Sequence, residues 1–251
     1  MVKKISQLSP QLSPENMKIF MTEEMRKCKD FQSALNTHTI EQANSWLWKE
    51  LRYLRMTSSR LQRIYQCSND DTFHSKIFKK PPPFNEKAVE LERRVIEAVE
   101  KRENIKINPC GLCLSADYPY FAASPDGISD EYVIEVKCPK SSNAIRRYCS
   151  ANNNICKECR MQIQCQMLLA NRSKCLFCVA EPDFETSGQL NRVIECLFDE
   201  NFIIGHIRKC ELRYEKIILP KLLITAELKE YFSLNLRRPA AIKKYLNFKS
   251  M

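Results

Sequence analysis

The chain has 251 residues, of which 44% are hydrophobic, enough for one large domain or one domain with a small appendage and too many for wholesale disorder. Its net charge of +10 favours polyanionic partners, nucleic acid first, while the four scattered glycines (Gly111, Gly127, Gly188, Gly205) leave no Gly-rich phosphate loop. No apolar run reaches membrane-spanning length, and the opening MVKKISQLSPQLSPE lacks the apolar stretch of a secretory leader, so the thirteen cysteines are expected to be reduced thiols of an intracellular protein.

Residues 1–13 are polar and read as a loose arm. Ser13-Pro14-Glu15 predicts a helix start, with Ser13 capping and Pro14 at the first helical position, and the helix is expected to run to about Lys29. A second helix is predicted over about Ile40–Leu54, with Trp46 and Trp48 near its end, and a short third over about Ser58–Tyr65. Residues 66–83 are polar and end in Lys79-Lys80-Pro81-Pro82-Pro83, which cannot continue a helix, so a loop or stiff connector is expected there. Asn85 caps a strong helix over about Glu86–Arg102, whose Ala88, Leu91, Val95 and Val99 fall at helical spacing. From about 106 to 138 short apolar segments broken by Gly, Pro, Asn and Asp predict strands and turns, most clearly a strand at Tyr132–Cys138. Residues 157–171 return to helix; Lys174–Ala180 and Val193–Phe198 read as strands. Asp199 to about Phe232 reads as mixed, with one helix after Pro220, and the tail RRPAAIKKYLNFKSM is basic. This order, without internal repeats, predicts an α/β or α+β core around a mostly central sheet.

The most informative stretch is Ala123-Ser124-Pro125-Asp126-Gly127, followed by Val133-Ile134-Glu135-Val136-Lys137-Cys138-Pro139. Residues two apart on a strand share a face, so Glu135 and Lys137 project together while Ile134 and Val136 turn the other way, into a core. Two charges on one face of an apolar strand are costly unless something pairs with them. Asp126, at a turn before the strand, can reach across a hairpin to the same place. Two carboxylates and a lysine converging make a divalent-cation site with an adjacent proton handler. Mg²⁺ takes oxygen ligands and acidifies bound water, and a lysine can orient that water and stabilise developing negative charge. Phosphodiester hydrolysis needs this equipment. For E-x-K alone the bland alternative is a surface hairpin with an ordinary Glu–Lys pair; the upstream S-P-D-G turn shifts the balance toward chemistry.

The segment C-G-L-C-L-S-A-D-Y-P-Y-F-A-A-S-P-D-G, with V-I-E-V-K-C-P-K-S after it, spans residues 110–141. It resembles the PD-(D/E)XK nuclease superfamily, in its lambda-exonuclease-like, YqaJ-type viral recombinase branch, a broad group that includes the baculovirus alkaline nucleases. The resemblance runs from about Trp48 to Pro182. It implies an α/β fold with a restriction-endonuclease-like core, a central mixed sheet flanked by helices, here with an N-terminal helical region. The expected organisation is a helical arm over 1–40, a nuclease domain over 41–232 and a basic tail over 233–251.

The resemblance also implies roles. A glutamate on the preceding helix completes the acidic site: the E-x-E-x5-A segment (Glu90, Glu92, Ala98) matches, with Glu92 preferred and Glu90 the alternative, because Ala88 stands where the family has glycine. The family's Q-x-Q helix matches Gln162-Ile163-Gln164, which implies that Gln162 positions the lysine or water. Gln166, one turn later, lies on the same helix face, and Gln164 points elsewhere. A W…R…T-x-S element matches Trp48, Arg52, Thr57 and Ser59, which implies that Arg52 and Ser59 grip DNA phosphate, a 5′-terminal one included, with Arg55 and Arg60 secondary; the guanidinium fork suits phosphate. The expected enzyme is a Mg²⁺- or Mn²⁺-dependent deoxyribonuclease with one or two ions on Asp126, Glu135, Glu92 and the Val136 carbonyl, and with Lys137 and Gln162 serving the nucleophile. The resemblance implies a 5′→3′ exonuclease on double-stranded DNA with 5′-phosphate ends, used in recombination or DNA processing. It also implies a homo-oligomer; no membrane is expected from the lack of a spanning apolar run, and in a eukaryote or a nuclear virus the basic ends make the nucleus the expected site.

Three C-x2-C pairs, Cys110/Cys113, Cys156/Cys159 and Cys175/Cys178, carry a competing reading as a structural zinc site, for which Cys149, Cys156 and Cys159 would supply three ligands from one loop. Against it, Cys175 and Cys178 fall on opposite faces of an expected strand, and Cys110 and Cys138 lie within the segments above. His38, His74 and His206 are scattered. The alternatives are therefore a catalytically silent nucleic-acid-binding protein of the same fold, a structure-selective endonuclease or RNase, and a zinc-stabilised interaction module.

Overall fold

In a computed structural model of the chain, residues 14–26, 31–79 and 84–235 are described. The elements in order are helices α1 (Pro14–Arg26), α2 (Phe31–Thr39) and α3 (Trp46–Arg52), strand β1 (Met56–Thr57), helices α4 (Leu61–Tyr65), α5 (Asp70–Ile77) and α6 (Glu86–Glu103), and strands β2 (Phe121–Ala122), β3 (Gly127–Ile128) and β4 (Tyr132–Lys137). Helices α7 (Ser142–Ile145) and α8 (Lys157–Ala170), strand β5 (Lys174–Ala180), helix α9 (Phe184–Ser187), strand β6 (Leu190–Leu197) and helix α10 (Glu200–Asn235) complete it. One compact unit covers Met21–Glu211 and holds every strand described. A second combines, among the described residues, 14–20 with 212–235, and within it Lys18 Nζ lies 3.6 Å from Glu215 Oε1.

The main sheet runs β3-β4-β5-β6. β4 and β5 are parallel, with Glu135 beside Phe177 and Lys137 beside Val179; β3 and β6 join antiparallel at the two edges. A parallel pair needs a crossover, and the segment containing α8 supplies it. The period-2 alternation then divides the side chains between two cores. Ile134, Val136, Leu176, Cys178 and Ala180 pack against Val95 and Val99 of α6. Val133, Cys175, Phe177 and Val179 pack against Cys159, Ile163 and Met167 of α8. A fully buried Leu- or Phe-sized side chain stabilises such a core by roughly 1.5–3 kcal/mol relative to exposure. β1 and β2 form a separate parallel pair. The architecture is the mixed-sheet α/β fold with an N-terminal helical region that the sequence predicts.

Helices α6 and α8 and strands β4 and β5 fall within a residue or two of their expected bounds. Asn85 Oδ1 accepts from Ala88 N at 3.3 Å as the cap of α6. Three expectations need correction. The helix expected over Ile40–Leu54 is interrupted: a 3-10 turn at Gln42–Asn44 intervenes, Gln42 takes φ +43°, and Ser45 starts α3 afresh by accepting from Trp48 N. The connector expected over 66–83 contains α5, which Asn69 caps through Thr72 N. The mixed region after Asp199 is one continuous helix, with Pro220 inside it. The arm 1–13, the end of the first helix at about Lys29, Pro81–Pro83 and the tail beyond Asn235 lie outside the described residues.

Candidate active site

β4 brings Glu135 and Lys137 to the face that α8 covers. Glu135 is only 2% exposed, a carboxylate in a setting where an unpaired charge would be prohibitive. Three donors resolve the cost. Lys137 Nζ and Gln162 Nε2 donate to Glu135 Oε1 at 2.5 and 2.6 Å, and Gln166 Nε2 donates to Oε2 at 2.6 Å. Gln162 Oε1 accepts in turn from Lys137 Nζ at 3.2 Å, closing a three-membered ring of charge and amide. Burial pulls the Lys137 ammonium toward neutrality, but the Glu135 and Asp126 carboxylates outweigh it and raise its pKa, so it stays a cation.

Asp126 enters from the other side of β4, just before β3. Its N–H donates to Ile134 O at 3.1 Å and its Oδ2 accepts from Val136 N at 2.7 Å. N–H and C=O of one strand residue point to the same edge, so the Val136 carbonyl also opens beside Asp126, past the end of β3. Burial first, then the charges of Glu135 and Glu92, push the Asp126 carboxyl well above the usual carboxylate range. Burial and the Glu135 charge likewise raise Glu92 on α6. The two helices that sandwich the sheet therefore meet around this point: α6 through Glu92, α8 through Gln162 and Gln166. Glu90 is exposed and paired to Arg93 at 2.7 Å, facing away. Gln164 is buried elsewhere, bridging Leu197 O and Asp199 N at 2.8 Å each.

The donors around Asp126, Glu135 and Glu92 are oxygens, the set that suits a hard divalent ion. Among the described residues no three His, Cys, Asp or Glu side chains close tightly enough to cage a metal unaided. Two carboxylates with several retained waters are the usual arrangement for Mg²⁺. Glu135 Oε1 accepts from two donors and Oε2 from one, so Oε2 keeps a lone pair for an ion, and with Asp126 Oδ2 bonded to Val136 N, Asp126 Oδ1 is the second candidate ligand. Neighbouring thiols do not compete: burial, with the Glu92 and Asp126 charges, pushes Cys138 up to about 12, and none of the described cysteines is in a disulfide. Cys175 and Cys178 lie in opposite cores, as the strand spacing requires.

A second feature adjoins the first. Arg52 stacks its guanidinium 3.8 Å over the Trp48 ring, and both residues donate to Ser124 Oγ, at 3.2 Å from Arg52 Nη1 and 2.7 Å from Trp48 Nε1. Arg52 Nε is buried without a hydrogen-bond partner among the described residues. Burial and the nearby Arg60 guanidinium lower its pKa, the mark of a cation short of negative charge. Ser124 stands two residues before Asp126 and ties this cation to the acidic cluster; its own part was not legible in the sequence, where it is one letter of the S-P-D-G turn. Ser59 is exposed on the 3-10 turn Ser58–Arg60. Arg55 sits differently from the expectation: it is buried, with Nε donating to Pro119 O at 3.2 Å and Nη1 to Leu51 O at 2.5 Å. Arg60 donates to Thr57 Oγ1 and to the carbonyls of Lys76 and Lys79.

Residues 47–173, which carry Arg52, Glu92, Asp126, Glu135, Lys137 and Gln162, match the YqaJ-like viral recombinase domain. The chain belongs to that family. The YqaJ-like chain also shares its fold with solved structures. The alkaline exonuclease LHK-Exo from Laribacter hongkongensis superposes with a TM-score of 0.54 at 20% identity, covering 77% of this chain and 97% of that one. The structure of LHK-Exo in complex with dAMP gives a TM-score of 0.55 at 20% identity, covering 75% and 98%. No curated protein sequence matches the YqaJ-like chain.

Proposed function

We propose that this protein is a Mg²⁺- or Mn²⁺-dependent deoxyribonuclease that degrades double-stranded DNA from 5′-phosphorylated ends, 5′→3′. The observation that carries the reading is the buried Glu135, held by Lys137, Gln162 and Gln166 beside Asp126 and Glu92. A carboxylate so placed serves no packing purpose, and a strand that buries it gains nothing unless the charge is used.

Asp126 and Glu135, with the Val136 carbonyl, would hold the ion directly, and Glu92 would hold it directly or through water. When bound, the ion supplies positive charge to the scissile phosphate and acidifies a coordinated water. Lys137, fixed by Glu135 and Gln162, aims a permanent cation at the oxygens that gain charge in the transition state and orients the attacking water. Gln162 holds that ammonium in place. Gln166 fixes the second Glu135 oxygen, so the carboxylate cannot swing away from the ligand position. Arg52, rigid on Trp48 and short of a counter-charge, takes a phosphate group, and Ser59 on the adjacent turn offers a hydroxyl to the same anion. The net charge of +10 favours association with a polyanion. The relative solved with dAMP, a nucleoside monophosphate, supports an exonuclease that releases single nucleotides.

Digestion of linear duplex DNA with and without Mg²⁺, by wild type and Lys137→Ala, tests the reading. Metal-dependent loss of nucleotides from 5′-phosphorylated ends, absent in the variant, is expected. DNA retention without cleavage in Mg²⁺, and again when Mn²⁺ replaces it, would replace the enzyme with a silent DNA-binding protein. Cleavage of covalently closed circles would make it an endonuclease.

A further inference from the structure

Gln42 lies in the 3-10 turn between α2 and α3, outside the residues that match the family, yet it reaches the acidic site. Its Nε2 donates to Cys110 O at 2.9 Å and to Pro125 O at 2.8 Å. Both partners are carbonyls, so only the NH₂ end of the amide can face them, and both of its hydrogens are spent.

The Pro125 carbonyl and the Asp126 N–H belong to one peptide unit. Gln42 holds the oxygen end of that plane, and Ile134 O holds the nitrogen end at 3.1 Å. Two hydrogen bonds at opposite ends stop the plane from rotating. They thereby fix the direction in which the Asp126 side chain leaves the backbone, toward Val136 N at 2.7 Å and the ligand position. The Ile134 bond comes from the strand next door, whereas the Gln42 bond comes from 83 residues away.

The bond to Pro125 is separable from ordinary packing. The Cys110–Leu112 segment is already tied to α2, because Asn36 Oδ1 accepts from Gly111 N at 2.5 Å and Thr39 Oγ1 accepts from Leu112 N at 2.8 Å. Gln42 extends that platform to the Pro125 carbonyl of the S-P-D-G turn, whose Ser124 is held separately by Trp48 and Arg52. It does so from a left-handed backbone, φ +43°, which glycine would adopt without steric cost but without an amide to offer. Non-glycine residues held in this region cluster at sites where the surroundings impose a geometry.

We infer that Gln42 is a positioning residue for the metal-binding carboxylate of Asp126, acting through the Pro125–Asp126 peptide; the inference rests on the metal-dependent reading of the site. The test is Mn²⁺ binding to the full chain without DNA, followed by electron paramagnetic resonance, beside thermal melting and DNA retention in chelator. The proteins are wild type, Gln42→Met, Gln42→Glu, Thr39→Val and Asp126→Asn. Loss of an outer partner of a metal ligand weakens affinity by about 10–100-fold. That loss is expected in both Gln42 variants, with DNA retention in chelator unchanged. Thr39→Val, which loosens the same platform without touching Pro125, should lower the melting temperature and leave Mn²⁺ affinity alone. Mn²⁺ affinity within twofold of wild type in both Gln42 variants, or an equal loss in Thr39→Val, would overturn the positioning role while leaving the nuclease reading intact. Failure of wild type to bind Mn²⁺ any better than Asp126→Asn would instead bring down the metal-dependent reading, and the inference with it.

Discussion

Lys137 and Gln162 meet on the same oxygen of Glu135, and each also touches the other. The three groups behave as one unit, so their effects on rate should not add. Removing one preorganised donor from a reacting centre costs about 10²–10³-fold in kcat. Lys137→Ala is expected to lose at least that much, and Gln162→Leu less. The double variant should be no slower than Lys137→Ala alone. Single-turnover cleavage at saturating enzyme measures all three, and a multiplicative double loss would show that Gln162 acts independently of the lysine.

Asp126 and Glu92 both have raised pKa values in the folded chain, through burial first and then neighbouring carboxylate charge. A carboxyl that holds its proton more tightly when folded contributes stability fully present below its unfolded pKa, about 3.9 for aspartate. That contribution is lost as pH rises through the folded value. The protein in chelator should therefore lose stability from acid toward neutral pH on account of these two groups. Asp126→Asn should flatten that slope and melt above wild type at pH 8 in chelator. A gain of about 1 kcal/mol in a domain of this size would raise Tm by about 2–4 °C. A variant that melts below wild type under those conditions would contradict the assignment of Asp126 as a repelled charge.

On the proposed reading, Arg52 serves end recognition and stands apart from the chemistry. Arg52→Lys keeps a charge but loses the planar stack on Trp48 and the fork that fits phosphate. It should raise KM about tenfold or more on 5′-phosphorylated duplex, a loss of roughly 1.4 kcal/mol. On 5′-hydroxyl ends the variant and wild type should be nearly equal. Equal losses on both kinds of end would remove Arg52 from terminal-phosphate recognition.

Gly127 sits next to Asp126, where an added Cβ would meet Ile107 Cγ2 at 2.5 Å. The obstacle is the end of a side chain inside the α6 core, so room must come from repacking Ile107 or from moving β3. Overpacking of this kind costs typically 1–3 kcal/mol. Gly127→Ala is expected to lower the urea midpoint accordingly, and to reduce activity beyond what the folded fraction explains if β3 moves with its neighbour Asp126. Full activity per folded molecule would mean that Ile107 absorbs the strain alone.

How much of this was legible in the sequence depends on the range of each interaction. The faces of β4 follow from alternation, so Glu135, Lys137 and their separation from Ile134 and Val136 were readable in seven letters. Gln162 follows from the family resemblance, Gln166 from its helical spacing to Gln162, and Asp126 from the turn preceding the strand. The break before α3 was hidden because residues 40–54 have helix-compatible composition, while the interruption depends on the Ser45 cap and on tertiary bonds made by Gln42. Helix α5 was hidden by its polarity: Phe73 and Ile77, one turn apart, are its two fully buried side chains, too few to register as a period. Pro220 was given too much weight as a helix breaker, since α10 continues through it. Arg55 looks like its neighbours in sequence, and only the folded contacts distinguish an arginine serving carbonyls from one with a buried nitrogen left for an anion.

The parallel pairing of β4 with β5 has a consequence for biosynthesis. Glu135 finds two of its three partners on α8, and the strand that carries it is flanked by β5, which follows still later in the chain. A ribosome that has delivered the S-P-D-G turn and β4 has therefore delivered the charges without their framework. A chain released before about residue 180 lacks Gln162, Gln166 or β5, and so lacks groups that hold Glu135 in place. On the proposed nuclease reading, the aborted products of translation are therefore expected to carry no DNA-cutting activity.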